Sequence, residues 1–172
     1  ILVSISAVNY ETGVRQPLKM LRQIIKKENE QTLFHSDLSQ AIGKTSVSFR
    51  DIDLGSISAH KIYGPKGIGL LYKNERVRLT PLIYGSGKGN DLHPGTPALP
   101  LIVALSKAIR IALNDLDKRE HFIERLNEKL VKEFENYPNI KINKTKYSIP
   151  HILNISLIGI RPETFIHAME EQ

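Results

Sequence analysis

The chain has 172 residues, 41% of them hydrophobic and 24% charged, with 24 Lys and Arg against 18 Asp and Glu for a net charge of +6. That balance is ordinary for a folded protein, and no apolar run approaches the ~20 residues that cross a bilayer. With no cysteine there is no disulfide and no thiolate metal site, and the six histidines lack the close spacings of a metal centre. Acidic and polar residues break up the basic ones, and aromatics are not interleaved with them, which argues against nucleic acid as a partner. The same features predict no membrane partner and a cytoplasmic location. The chain opens on Ile1-Leu2-Val3 with neither an initiator methionine nor a basic-then-apolar leader. A fragment or processed piece of a longer protein is therefore expected.

Residues 1–8 read as a buried strand, ended by a loop from Asn9 to Gly13. Pro17 opens a helix, as proline does at a first helical position. Leu18, Leu21, Ile24 and Ile25 form its apolar stripe, with Lys26 and Lys27 at its polar end. Thr32 to His35 is a second strand, with Asp37 just past its end. Strand, helix and strand over this span make a βαβ unit, so the two strands are expected to be parallel. Ser39 to Ile42 is a short helical turn closed by Gly43. Asp53 to Ser58 is a third strand leading to Lys61, and Ile68–Tyr72 and Leu79–Tyr84 are two more. Asn9, Asp37 and Lys61 thus fall at one edge of a sheet, the carboxyl edge where open α/β sheets bind ligands.

Gly85 to Asn90 is a Gly-rich loop without the Walker spacing, so it reads as a surface loop. From Leu99 to Glu135 the pattern turns helical. Leu101, Leu105, Ala108, Ile109, Ala112 and Leu116 line one face. Phe122, Ile123, Leu126, Leu130, Val131 and Phe134 continue it after a charged break at Asp115–His121. One long helix, bent near that break, is predicted to link two domains. Ile140–Ile142 and Ile152–Leu157 then read as strands, and Pro162–Met169 as a helix.

The stretch Ser58 to Tyr72, SAHKIYGPKGIGLLY, gathers a hydroxyl, an imidazole and an amine at a strand end. On its own it also fits a basic hairpin with Lys61 in solvent. Asp37 on the neighbouring strand end changes the balance. Pyridoxal phosphate (PLP) needs a lysine to carry it and a carboxylate to keep its pyridine nitrogen protonated, and its phosphate needs hydroxyl, imidazole or backbone donors. Asp37, Lys61, Ser58 and His60 supply that set. Asp37 could instead cap the turn at Ser39, and His60 could be a core or hairpin histidine.

Three segments in order, HSDLSQAIGK (35–44), SAHKIYGPKGIGLLY (58–72) and PGTPALPLIVALSKA (94–108), closely resemble the cysteine desulfurases of the class V aminotransferase family. VSISAVNYETGVRQPL at the start and IPHILNISLIG (149–159) extend the resemblance along the chain. It implies an α/β fold, part of a fold type I PLP-dependent transferase. Residues 1–98 would belong to the PLP-binding large domain with a mostly parallel sheet, 99–137 to a linking helical region, and 138–172 to the start of a small α+β domain. By position, Lys61 would be the catalytic lysine that carries PLP. Asp37 would pair with the pyridine nitrogen, Gln40 with the phenolic oxygen, and Ser58 and His60 with the phosphate. Thr96 would reach the phosphate in the other subunit of a homodimer, the plainer alternatives being Gln40 as a helix-surface residue and Thr96 as the N-cap of the long helix. The implied reaction takes L-cysteine to alanine and a protein-bound persulfide, which passes to a sulfur-acceptor protein for iron–sulfur or thio-cofactor assembly.

The departures point elsewhere. The family asparagine that contacts the cofactor is replaced by Tyr10, with Asn9 matching only the residue before it. Two family arginines fall on Asn90 and His93. A non-catalytic homologue serving as a dimerisation or partner-binding scaffold is the competing reading, and another class V enzyme, an aminotransferase or selenocysteine lyase, is a third. Lacking cysteine, these 172 residues alone are expected not to turn over as a desulfurase.

Overall fold

The computed structural model describes residues 1–85 and 92–170, which leaves most of the Gly-rich loop and Asn90 outside the described residues. Strand β1 spans Leu2–Ser6, shorter than the expected 1–8 because Val8 already leaves the ladder to bridge Arg15. Helix α1, Leu18–Glu28, follows Pro17 and packs Leu18, Leu21 and Ile25 on the core. Ile24, expected in that stripe, is instead exposed. Lys26 reaches past the helix end to the carbonyls of Glu30 and Thr32, at 3.1 and 2.7 Å, and so satisfies acceptors there. Strand β2 spans Leu33–Asp37, so Asp37 closes the strand and does not lie beyond it. Strand β3, Leu54–Ser58, and strand β4, Gly69–Lys73, complete a sheet of order β1-β2-β3-β4.

The first three strands are parallel and β4 returns antiparallel to β3. The expected strand at Leu79–Tyr84 is absent. Pro81 has no N–H to give a ladder, and Leu82 stands 97% exposed. That segment has the composition of a strand but no ladder partner among the described residues.

The expected long helix is two: α2, Leu99–Leu113, and α3, Leu116–Phe134. The break comes at Asp115, whose φ of 52° is left-handed and incompatible with a continuing helix. Leu105 and Ala108 of α2 enter the main core. In α3 the anticipated stripe is largely outward, with Phe122, Leu126 and Leu130 exposed, while Asn127 is buried. Its amide donates to the Pro150 carbonyl at 3.0 Å and its oxygen accepts from Lys144 at 2.7 Å, so burial leaves it satisfied. Strands β5, Ile140–Ile142, and β6, Ile155–Leu157, form an antiparallel pair, followed by α4, Pro162–Glu170. The segment 152–154, expected to belong to β6, lies outside it. Ile152 turns back to the Ile149 carbonyl, and the Asn154 side chain reaches the Glu11 carbonyl.

The core joins Phe34, Leu38, Ile52 and Ile57 of the sheet layer with Leu105 and Ala108 of α2 and Ile149. Asp53, 5% exposed at the entry to β3, ties the layers together. It accepts from Arg22 at 2.7 Å and the Phe34 amide at 2.9 Å, and pairs with Lys26 at 2.9 Å. Burial alone would push its carboxyl up, but those hydrogen bonds outweigh it and hold the carboxyl below the usual range.

Candidate active site

Parallel pairing sets the carboxyl ends of β1, β2 and β3 on one edge, with Ser6 opposite Asp37 and Asp37 opposite Ser56. Lys61 follows β3 in a 3-10 turn, Ala59–Ile62. The turn is closed by the Gly64 amide on the Ala59 carbonyl at 2.9 Å and by Tyr63 at φ 60°. Asp37, Gln40, Ser58 and Lys61 line one cleft of about 300 Å³ together with Ser6, Val8, Tyr10 and Ser39. That volume is at the lower end of the roughly 300–1,000 Å³ of small-molecule sites.

Hydrogen bonds fix the cleft walls. Asp37 Oδ1 accepts the Ser39 amide at 2.8 Å, so the residue does cap the turn while its carboxylate also lines the cleft. Ser39 Oγ accepts the Ser58 amide at 3.0 Å, and the Leu38 amide donates to the Ser56 carbonyl at 2.8 Å. The turn after β2 is thereby sewn to the end of β3. Among the described residues, Asp37 Oδ2 and the Ser58 hydroxyl have no protein partner, which leaves an acceptor and a hydroxyl available to a ligand. Behind the wall, Lys44 donates to Gln40 Oε1 at 2.9 Å. Burial lowers the Lys44 ammonium's pKa from its ordinary value, and the charge of Lys61 adds to that.

Two expected residues lie outside this cleft. His60 is exposed, one position before Lys61, and Thr96 is exposed ahead of α2. Thr96 is not the helix cap either: that position is Ala98, with no side-chain cap bond. Asn9 spends its side-chain oxygen on the amides of Glu11 and Thr12, at 3.0 and 2.8 Å, and so shapes its own loop. Tyr10 does line the cleft, and hydrogen bonding to Glu11, reinforced by that carboxylate's charge, raises its phenol pKa. His93 is exposed.

Ser6, Val8 and Ser39 were not anticipated in the cleft, nor was Lys44 behind it. The i, i+4 spacing of Gln40 and Lys44 was the available signal for the last. A larger cavity of about 1130 Å³ lies elsewhere, between the start of α1, the 45–51 loop and α3. Its rim mixes Arg15, Lys19 and Lys146 with Asp51, Glu120 and Glu124, and it shares no residue with the cleft.

The family model described as Aminotransferase class-V matches residues 1–172. The chain belongs to that family. Class-V relatives are PLP-dependent, and two of them are similar to this chain over 99% of its length. A cysteine desulfurase IscS of Rickettsia bellii is 41% identical and a mitochondrial cysteine desulfurase of Saccharomyces cerevisiae is 39% identical. The chain spans 42% and 35% of their respective lengths, less than half of each. A solved NifS-like protein superposes with a TM-score of 0.93 at 38% identity, covering 99% of this chain and 47% of that one. The fold is therefore that of fold type I PLP-dependent enzymes of this family, an α/β architecture with a mostly parallel sheet.

Proposed function

We propose that this chain supplies one part of the PLP site of a cysteine desulfurase-like enzyme. The observation that carries the reading is the cleft at the carboxyl edge, where Asp37, Gln40, Ser58 and Lys61 converge in a class-V chain. The donor set suits the cofactor: a carboxylate oxygen without a protein partner, an amide, a hydroxyl and an amine. Asp37 would face the pyridine nitrogen, Gln40 the phenolic oxygen, and Ser58 with His60 the phosphate. Lys61 would carry the cofactor and move protons at its Nζ. Thr96 would serve the cofactor of the second subunit in a homodimer, consistent with its place outside the cleft of its own chain. PLP, when bound, supplies an electron-withdrawing ring that stabilises negative charge developing at the substrate's Cα.

The substrate on this reading is L-cysteine and the products are L-alanine and a persulfide destined for an acceptor protein in iron–sulfur or thio-cofactor assembly. None of these 172 residues is a cysteine, so the persulfide would be held on a residue outside them. Cytoplasmic residence belongs to the same proposal. Among the described residues no helix is long and apolar enough to cross a membrane, and one relative is named mitochondrial. The division into 1–98, 99–137 and 138–172 is proposed likewise.

One observation favours a second reading. Tyr10 stands in the cleft wall where the family's asparagine was expected, which suits another class V substrate or a homologue that has given up catalysis. The deciding experiment adds PLP to the full-length protein and follows visible absorbance in wild type and Lys61→Ala. No lysine-dependent band sinks the enzyme reading. Sulfide and alanine released from added L-cysteine then separate a desulfurase from its relatives.

A further inference from the structure

Lys44 stands at the back of the cleft, on the turn that follows β2, and is only half-buried. Its ammonium has three N–H donors and no acceptor. Three oxygens face it: Gln40 Oε1 at 2.9 Å, the Ser39 carbonyl at 3.4 Å and the Lys61 carbonyl at 3.5 Å. Two of these belong to the Ser39–Gln40 turn. The third lies 17 residues on, in the turn that carries the reactive lysine.

The chemistry of the ammonium settles which way Gln40 points. An amide's oxygen and nitrogen are near-isosteric, and only their partners tell them apart. An ammonium can only donate, so the Gln40 atom it touches is the oxygen, and the NH2 is the end left for the cleft that Gln40 lines. The turn has little room to give on its far side. Gly43 has φ 73°, and a Cβ added there would stand 2.8 Å from Ala112 Cβ of α2.

We infer that Lys44 is a positioning residue, which locks the Gln40 amide so that it offers a donor, not an acceptor, to the cofactor's phenolic oxygen, and ties the Lys61 backbone to the same cation. This rests on the PLP reading above and deepens it. An oxygen turned to the cleft would meet the electron-rich phenolic oxygen with like partial charge. Lys44 removes that alternative by occupying the amide oxygen itself. The contact to the Lys61 carbonyl makes the same cation a strut between the two turns, so the donor and the reactive amine keep a common frame.

The test uses the PLP-loaded full-length protein and reads the visible band of the bound cofactor and its dissociation constant. Lys44→Met, which keeps the stem and removes the donors, is expected to shift the band and weaken PLP by about 3- to 10-fold, the scale of one lost hydrogen bond. In a Gln40→Ala background the same substitution is expected to add less than about 2-fold, because the residue it acts through is gone. Lys44→Arg, which like lysine can only donate, is expected to keep the wild-type band, and it decides the matter if Lys44→Met does not fold. An unchanged band and affinity in Lys44→Met overturns the inference, as does full additivity with Gln40→Ala or a Lys44→Arg band displaced from wild type. A wild-type protein with no Lys61-dependent band overturns the cofactor reading and takes this inference with it. A normal band indifferent to Lys44 overturns this inference alone.

Discussion

Replacing Asp53 with asparagine keeps the shape of the side chain and removes its charge. The carboxylate sits 5% exposed between α1 and the sheet, accepting from Arg22, Lys26 and the Phe34 amide. Breaking a buried pair from one side costs about 3–5 kcal/mol. Here both cations keep some water, with side-chain exposures of 29% and 23%. The expected cost is therefore about 2 kcal/mol for Asp53→Asn, whose amide oxygen still takes the Phe34 N–H. Asp53→Ala strands that amide as well and should cost about 1 kcal/mol more. The pH dependence follows from the lowered carboxyl. As pH falls, the unfolded chain binds the proton first, so the contribution is present above the ordinary carboxylate value of 3.8 and lost as pH falls through the lower folded value. Urea unfolding at neutral pH and at about pH 3 checks it, with the wild-type advantage over Asp53→Asn expected to shrink in acid. An advantage of equal size at both pH values would refute the electrostatic account.

Asp37→Ala removes a carboxylate from the cleft and is expected to weaken PLP by about 10- to 100-fold, measured by spectral titration. Gly43→Ala is expected to destabilise by more than Gly67→Ala. Both have positive φ, but a Cβ at Gly43 would press within 2.8 Å of Ala112 and one at Gly67 meets nothing within 4 Å. Thermal melts of the two should differ, with the Gly67 variant paying only the strain of about 1 kcal/mol. Phe34→Ala, at the second residue of β2 and with no exposure, should cost about 3–5 kcal/mol in denaturant unfolding. His151 has its pKa lowered by burial and by the charges of Lys44 and Arg119, and its Nδ1 is buried without a partner among the described residues. The unfolded chain therefore takes up the proton first, stability falls as pH drops below the ordinary histidine value of 6.5, and His151→Leu should flatten that slope.

The parallel strands and the cleft residues Asp37, Ser58 and Lys61 could be read from the chain because each sits at or just past the end of a short, well-patterned segment, whereas Gln40 came only from the family resemblance. Local patterning places a residue along the chain, and parallel pairing then places it in space. The errors have a common origin in partners that pattern does not reveal. Leu79–Tyr84 has strand composition but contains Pro81 and has no neighbouring ladder among the described residues. The apolar positions of α3 promised a buried stripe, yet Asn127 took the interior because a carbonyl and a lysine were there to satisfy it. Lys44 escaped notice because a lysine's role depends on which acceptors surround it, and one of these, the Lys61 carbonyl, is distant in sequence.

The ladder between β3 and β4 runs to its last rung, Ser58 opposite Gly69, and the Ala59 amide still reaches the Ile68 carbonyl at 3.3 Å. The turn bearing Lys61 is therefore pinned at both feet by a hydrogen-bonded ribbon whose inner strand lies in the core. In hydrogen-exchange terms, the buried Ala59 amide at the foot of the turn is expected to exchange more slowly than the exposed turn it anchors. The Lys61 amine thus projects on its own four-carbon stem from a turn whose base is tied to the sheet.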